Sequence, residues 1–172
     1  MSSWQNHSSD ERIAMIQTVG QDHNIEDNAV EKDWWVTVVL KALFNTSCGK
    51  WLLFKGGTSL SKGWNLINRF SEDIDISIGR NFFEDVLNLP FAKCENNNQV
   101  KKLRKTSRDY IHGTLSAELD AELLKMGVKG YTIMNEAVTG EPPRPIDHDS
   151  DPTIIFVNYE SILPSIMRLI DA

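Results

Sequence analysis

The stretch that most limits what this chain can become is Phe54-Lys-Gly-Gly-Thr-Ser-Leu-Ser-Lys62, running on to Arg69-Phe-Ser-Glu-Asp-Ile-Asp-Ile-Ser-Ile78. The apolar run Trp51–Phe54 stops at Gly56-Gly57, and Thr58 and Ser59 are residue types that cap a following helix. A second strand then carries Ile74, Ile76 and Ile78 on one face and Asp73, Asp75 and Ser77 on the other. The pattern reads strand, glycine turn, helix, strand, and in the helix Leu60, Trp64 and Ile67 fall at i, i+4 and i+7, a face expected to pack on the sheet. A helix that starts at such a turn directs unpaired N–H groups and the positive end of its dipole toward the turn, which suits a phosphate. Two carboxylates at i and i+2 on one strand face repel unless a cation lies between them. Hard oxygen ligands beside an anion-binding turn suit Mg²⁺, or Mn²⁺, carrying nucleotide phosphates.

Each half is common by itself. A Gly-Gly turn before a helix is most often a tight connection, and Asp-x-Asp occurs on solvated strand faces. Joined by one helix-length segment, the two place the turn and the carboxylates at the same end of neighbouring strands, as a nucleotide site requires.

The same residues resemble a known family. Gly57-Thr58 followed by Asp73-x-Asp75 is similar to the signature of DNA polymerase beta-like nucleotidyltransferases. Glu31-Lys-Asp-Trp-Trp-Val-Thr37, Phe54–Lys62 and Arg69–Asp75, in that order, resemble the AbiEii/AbiGii-type nucleotidyltransferase toxins over about residues 25 to 80. The resemblance implies an α+β fold, a small mixed sheet flanked by helices. It implies metal-holding, catalytic roles for Asp73 and Asp75. Gly56, Gly57, Thr58 and Ser59 would orient the triphosphate, and Ser71 would belong to the Ser-x-Asp-x-Asp signature. It also raises a supporting role for the Glu31–Asp33 turn, whose plain reading is a helix start with surface charge. The expected reaction is transfer of NMP from an NTP to an RNA (transfer RNA in some relatives) or protein acceptor. The implied role is the toxin of a toxin–antitoxin or phage-defence pair, with a separately encoded antitoxin as partner.

Lys62 and Arg69 are cations that could meet phosphates, although each alone reads more readily as a solvated charge. A long helix is expected from about Gln99 to Met126, with Gly113 marking a kink or a close contact. Its N-terminal half holds Lys101, Lys102, Arg104, Lys105 and Arg108, where the helix dipole prefers anions. Lys101/Lys105 and Arg104/Arg108 are like-charge pairs one turn apart. The run is either a solvated face or a basic patch for triphosphate or RNA, with Lys101 and Arg104 as candidate phosphate contacts. Asp147-His148-Asp149 and Asp151 form a cluster whose loop setting favours plain solvation.

Capping boxes are expected at Ser8-x-x-Glu11 and Asn28-x-x-Glu31. The second would open a helix to about Phe44 that is apolar almost all round, hence central. Further strands are expected at Tyr131–Val138 and Thr153–Tyr159.

A net charge of −6 over 172 residues argues against wholesale electrostatic binding of nucleic acid, while leaving room for a local basic patch. Cys48 and Cys94 make no metal pattern or disulfide framework, and no apolar run approaches a membrane span. A cytoplasmic protein with no membrane association is expected. Polymerase beta-like enzymes typically carry a third carboxylate on a later strand, and the chain stops at Ala172, near where that strand would begin. The expectation is therefore a single domain, 1–172, lacking a C-terminal part.

Two other function classes fit parts of the pattern. A metal-dependent nuclease would use Asp73 and Asp75 without needing the glycine turn. A non-catalytic module would hold a nucleotide or the antitoxin without transfer.

Overall fold

In a computed structural model of the chain, residues 4–64, 73–135 and 153–163 are described. Helix α1 (Ser9–His23) opens with the expected capping box: Ser8 accepts from the Glu11 N–H, and the Glu11 carboxylate accepts the Ser8 N–H at 2.8 Å. It ends where Asn24 adopts a left-handed conformation, a C-terminal cap that Asn tolerates. Helix α2 (Asp27–Phe44) is the central element, burying Trp35, Val36, Val38, Val39, Ala42 and Leu43. Its expected capping box is absent. Glu26 occupies the N-cap position with no side-chain cap bond, and Glu31 is drawn into the interior instead.

Strand β1 (Leu52–Lys55) leads into α3, an α-helical turn (Gly56–Thr58) continued by a π-helical turn (Ser59–Gly63). Strand β2 (Asp75–Ile78) returns antiparallel to β1, with Leu52 opposite Ile78 and Lys55 opposite Asp75. A π-helical turn at Phe82–Val86 and a 3₁₀ turn at Pro90–Lys93 follow. Asn96 then caps helix α4 (Asn97–Tyr110) by accepting the Gln99 N–H at 3.0 Å. A π-helical turn (Ile111–Leu115) joins α4 to α5 (Ser116–Lys125), so the helical path runs from Asn97 to Lys125, as the periodicity predicts. Gly113 lies inside the π turn with open space around it, which assigns it to the helix irregularity and excludes a close contact. Strands β3 (Tyr131–Met134) and β4 (Phe156–Tyr159) pair antiparallel.

The fold is α+β. Its described strands form two separate antiparallel pairs, β1–β2 and β3–β4. One core serves both. Ile74, Ile76 and Ile78 pack onto it from the first pair, and Tyr131, Ile133, Val157 and Tyr159 from the second. Phe82, Leu119 and Leu123 are fully buried at its centre. Among the described residues no helix is long and apolar enough to cross a membrane.

Two expectations about α3 need correction. Helix α3 begins at Gly56, earlier than Thr58 and Ser59, and Lys55 at the N-cap makes no side-chain cap bond. Thr58 is the last residue of the α-helical turn and Ser59 the first of the π-helical turn, so neither occupies the N-cap position. Nor do Leu60 and Trp64 form a sheet-packing face, since both are exposed, Trp64 by 71%. The bond from Trp64 N–H to Ser59 O, at 3.2 Å, spans five residues. That wider turn breaks the 3.6-residue spacing on which the expectation rested. Ser59 is buried instead. Ile67, Arg69, Ser71 and the Asp147–Asp151 cluster lie outside the described residues.

Candidate active site

The site is built where β1 ends and β2 begins. Antiparallel register sets Lys55 opposite Asp75, so the residue after Lys55 is delivered to the start of β2. Gly56 takes φ 69°, a left-handed conformation that residues with a Cβ rarely adopt. It also needs the missing side chain for space: a Cβ there would overlap the Asp75 carboxylate. One glycine thus meets two independent requirements, a reversal of the chain and an acidic group directly against its backbone.

Asp73 and Asp75 are both exposed, while Ile74 and Ile76 pack against the core. The alternation expected from the sequence therefore holds across the start of β2, although only Asp75 lies within the strand proper. Among the described residues, no group of three or more His, Cys, Asp or Glu side chains is placed to share a metal. Mg²⁺ does not require such a cage. It keeps several waters and is commonly held by one or two carboxylates together with substrate phosphates. Two exposed aspartates, Asp75 lying directly against the Gly56 backbone, fit that mode of binding.

Lys62, a candidate phosphate contact, projects from the π turn toward α2. Its ammonium lies 2.6 Å from Asp33 Oδ1 and donates to Thr37 Oγ1 at 2.9 Å, and the Thr37 hydroxyl donates to the Asp33 carbonyl at 2.8 Å. Lys62 is thus a held cation that ties the glycine turn to α2. Asp33 and Thr37 are the residues the chemistry of the turn alone does not reveal. Their signal in the sequence is their place in the Glu31–Thr37 segment.

Glu31 has a separate task. It is 2% exposed and accepts from the Ser161 hydroxyl at 2.6 Å and the Ile162 N–H at 3.0 Å, fastening the chain after β4 to the start of α2.

Lys101 and Arg104 are exposed on α4. Their neighbour Lys102 lies over the Phe91 ring at 4.3 Å, a local contact. Gly57 is half-buried in the turn beside Gly56.

The α+β fold with its two small antiparallel strand pairs is consistent with a nucleotidyltransferase domain. The family model for Nucleotidyl transferase AbiEii toxin, Type IV TA system, matches residues 39–166, well over half of the chain. The chain belongs to this family of nucleotidyltransferase toxins. No curated protein and no solved structure gives a significant match.

Proposed function

We propose that this chain transfers a nucleoside monophosphate from an NTP to an RNA or protein acceptor, as the toxin of a toxin–antitoxin pair. The observation that carries the reading is the juxtaposition of Gly56 with Asp75. A backbone turn suited to phosphate and a carboxylate suited to a hard cation occupy one place.

In this reading Asp73 and Asp75 hold Mg²⁺, or Mn²⁺ in its stead, and the bound ion offsets charge on the phosphates. The turn Gly56-Gly57-Thr58-Ser59 cradles the triphosphate with its backbone, and the absent Cβ of Gly56 lets the Asp75 carboxylate sit directly against that turn. Lys62 adds a positive charge whose position Asp33 and Thr37 set. Ser71 completes the signature ahead of the aspartates. Lys101 and Arg104 on α4 supply the basic surface for the triphosphate or an RNA acceptor. An acceptor hydroxyl oxygen bonds to the α-phosphorus, the bond from that phosphorus to the β-phosphate bridging oxygen breaks, pyrophosphate leaves with the electron pair, and the hydroxyl proton passes to water. A separately encoded antitoxin opposes the toxin in the same cytoplasm.

The test is calorimetric titration of each of the four NTPs with Mg²⁺, on this chain and on an Asp73→Ala/Asp75→Ala variant, followed by α-labelled NTP incubated with total RNA. Metal-dependent binding abolished in the variant, with label appearing in RNA or protein, is the expected result. Binding without label would leave a nucleotide-holding module, and RNA cleavage without added NTP would leave a nuclease.

A further inference from the structure

The face of the β1–β2 pair turned away from the core carries a cation that the proposed mechanism leaves unused. Along β1, Leu52 is buried and Phe54 half-buried, while Leu53 and Lys55 are exposed. On β2, Ile76 and Ile78 pack on the core and Asp75 is exposed. Lys55 and Asp75 stand directly opposite one another in the register. Opposed residues of an antiparallel pair send their side chains to the same face, their Cβ atoms about 4.5–5.5 Å apart. Lys55 therefore leaves the sheet beside the carboxylate of the site, one residue ahead of Gly56.

A lysine opposed to an aspartate commonly pairs with it. Here the Asp75 carboxylate lies against the Gly56 backbone instead. Among the described residues, ion pairs form at Lys62–Asp33, Lys93–Glu84 and Lys125–Glu122, and Lys55 enters none of them. Nor, among those residues, does it lie over an aromatic ring, as Lys50 and Lys102 do. The contrast with Lys62 is direct. One lysine precedes the glycine turn and the other follows it, and the second is already matched by Asp33 at 2.6 Å and by the Thr37 hydroxyl. Of the two, Lys55 is the one whose charge is open to a ligand.

Building on the nucleotidyltransferase reading, we infer that the Lys55 ammonium contacts the β- and γ-phosphates of the NTP, the part that departs as pyrophosphate. The charges favour that end of the substrate. Asp73 and Asp75 with one divalent ion come to no net charge, so Lys55 supplies the surplus positive charge that an anion requires. The β- and γ-phosphates hold most of the negative charge of an NTP and gain more as the bond to the α-phosphorus breaks. A cation held there stabilises that charge as it develops. Lysine suits the task as a compact charge with three donors on a flexible stem. It stays protonated throughout, so the proton balance of the transfer is unchanged.

The test is calorimetric titration, with Mg²⁺, of the NTP that binds the unaltered chain and of the matching NMP, on the unaltered chain, Lys55→Gln and Lys55→Arg. The expected result is a loss of about tenfold or more in NTP affinity in Lys55→Gln, as for one lost charge-assisted contact, with NMP affinity little changed and Lys55→Arg close to the unaltered chain. Because Lys55 is exposed, the urea midpoint of Lys55→Gln should match that of the unaltered chain. A Lys55→Gln variant that binds NTP as tightly as the unaltered chain would overturn the inference and leave Lys55 a solvated charge. So would equal losses for NTP and NMP, because the substitution would then be disturbing the turn as a whole. An unaltered chain that binds no NTP removes the nucleotidyltransferase reading and the Lys55 contact together, whereas NTP binding indifferent to residue 55 removes the Lys55 contact alone.

Discussion

The backbone of Gly56 passes directly against the carboxylate of Asp75, so that a Cβ at residue 56 would overlap Asp75 Oδ2 and lie 2.9 Å from Asp75 Cγ. Strand register produces this relationship: Lys55 faces Asp75, and the turn that follows must cross the end of β2. Gly56→Ala is therefore expected to act twice. The left-handed backbone costs an alanine about 1–2 kcal/mol, and the added methyl displaces the carboxylate. Urea denaturation should show the first effect and loss of Mg²⁺-dependent NTP binding the second. Gly57→Ala, at a residue without a positive φ, should be milder in both.

Lys62 tests the link between α2 and the turn. The Asp33–Lys62 pair is partly solvated, so Asp33→Asn should lower stability by no more than about 1 kcal/mol. Its larger effect should fall on NTP affinity, because Lys62 would lose the carboxylate that positions it. Lys62→Ala should weaken binding at least as much. An Asp33→Asn variant that binds NTP like the parent would reduce this pair to a structural tie.

Glu31 should behave quite differently from its neighbour Asp33. Replacing it with alanine leaves the Ser161 hydroxyl and the Ile162 N–H without their acceptor, at about 1–3 kcal/mol for a buried group left unpaired. Chemical denaturation should register the loss. Hydrogen exchange at Ile162 should accelerate in the same variant, even where the midpoint shift is modest.

Tyr110 and Tyr131 are expected to make stability fall at alkaline pH. Burial, above all, raises the pKa of Tyr110, and burial followed by the hydrogen bond to Asp120 raises that of Tyr131, both from an ordinary value of 10.0. In the unfolded chain these phenols ionise near that value, while in the folded chain they stay neutral. Above pH 10 the folded state therefore holds more protons, and stability should fall by about 1.4 kcal/mol per pH unit for each tyrosine. Below that pH their contribution is constant. Tyr110→Phe and Tyr131→Phe should each flatten the alkaline limb of a stability-versus-pH curve measured by urea denaturation.

Much of this architecture is local, and for that reason legible in the amino-acid order alone. Ser8 and Glu11 make their capping box within one turn, and the apolar residues of α2 announce a central helix. The alternation from Asp73 to Ile78 separates the face that packs on the core from the face that carries the carboxylates. The glycine turn and the Asp-x-Asp strand could be paired in advance because a single helix-length segment joins them. Glu31 was misread as a capping residue, since its partners Ser161 and Ile162 lie far along the chain and no local pattern points to them. Two acidic residues of α5 likewise find their partners far along the chain or beyond the helix: Glu118 accepts the Ser47 N–H at 2.8 Å and Asp120 the Tyr131 hydroxyl at 2.8 Å. Leu60 and Trp64 failed the helical spacing because a π turn widened it. Periodicity and capping depend on neighbours a few residues apart, and the sequence by itself determined those. Which carboxylate neutralises Lys62, that Lys55 stands opposite Asp75, and that Gly56 must yield its space to Asp75 depend on chain segments meeting across the core. Only the tertiary structure decided them.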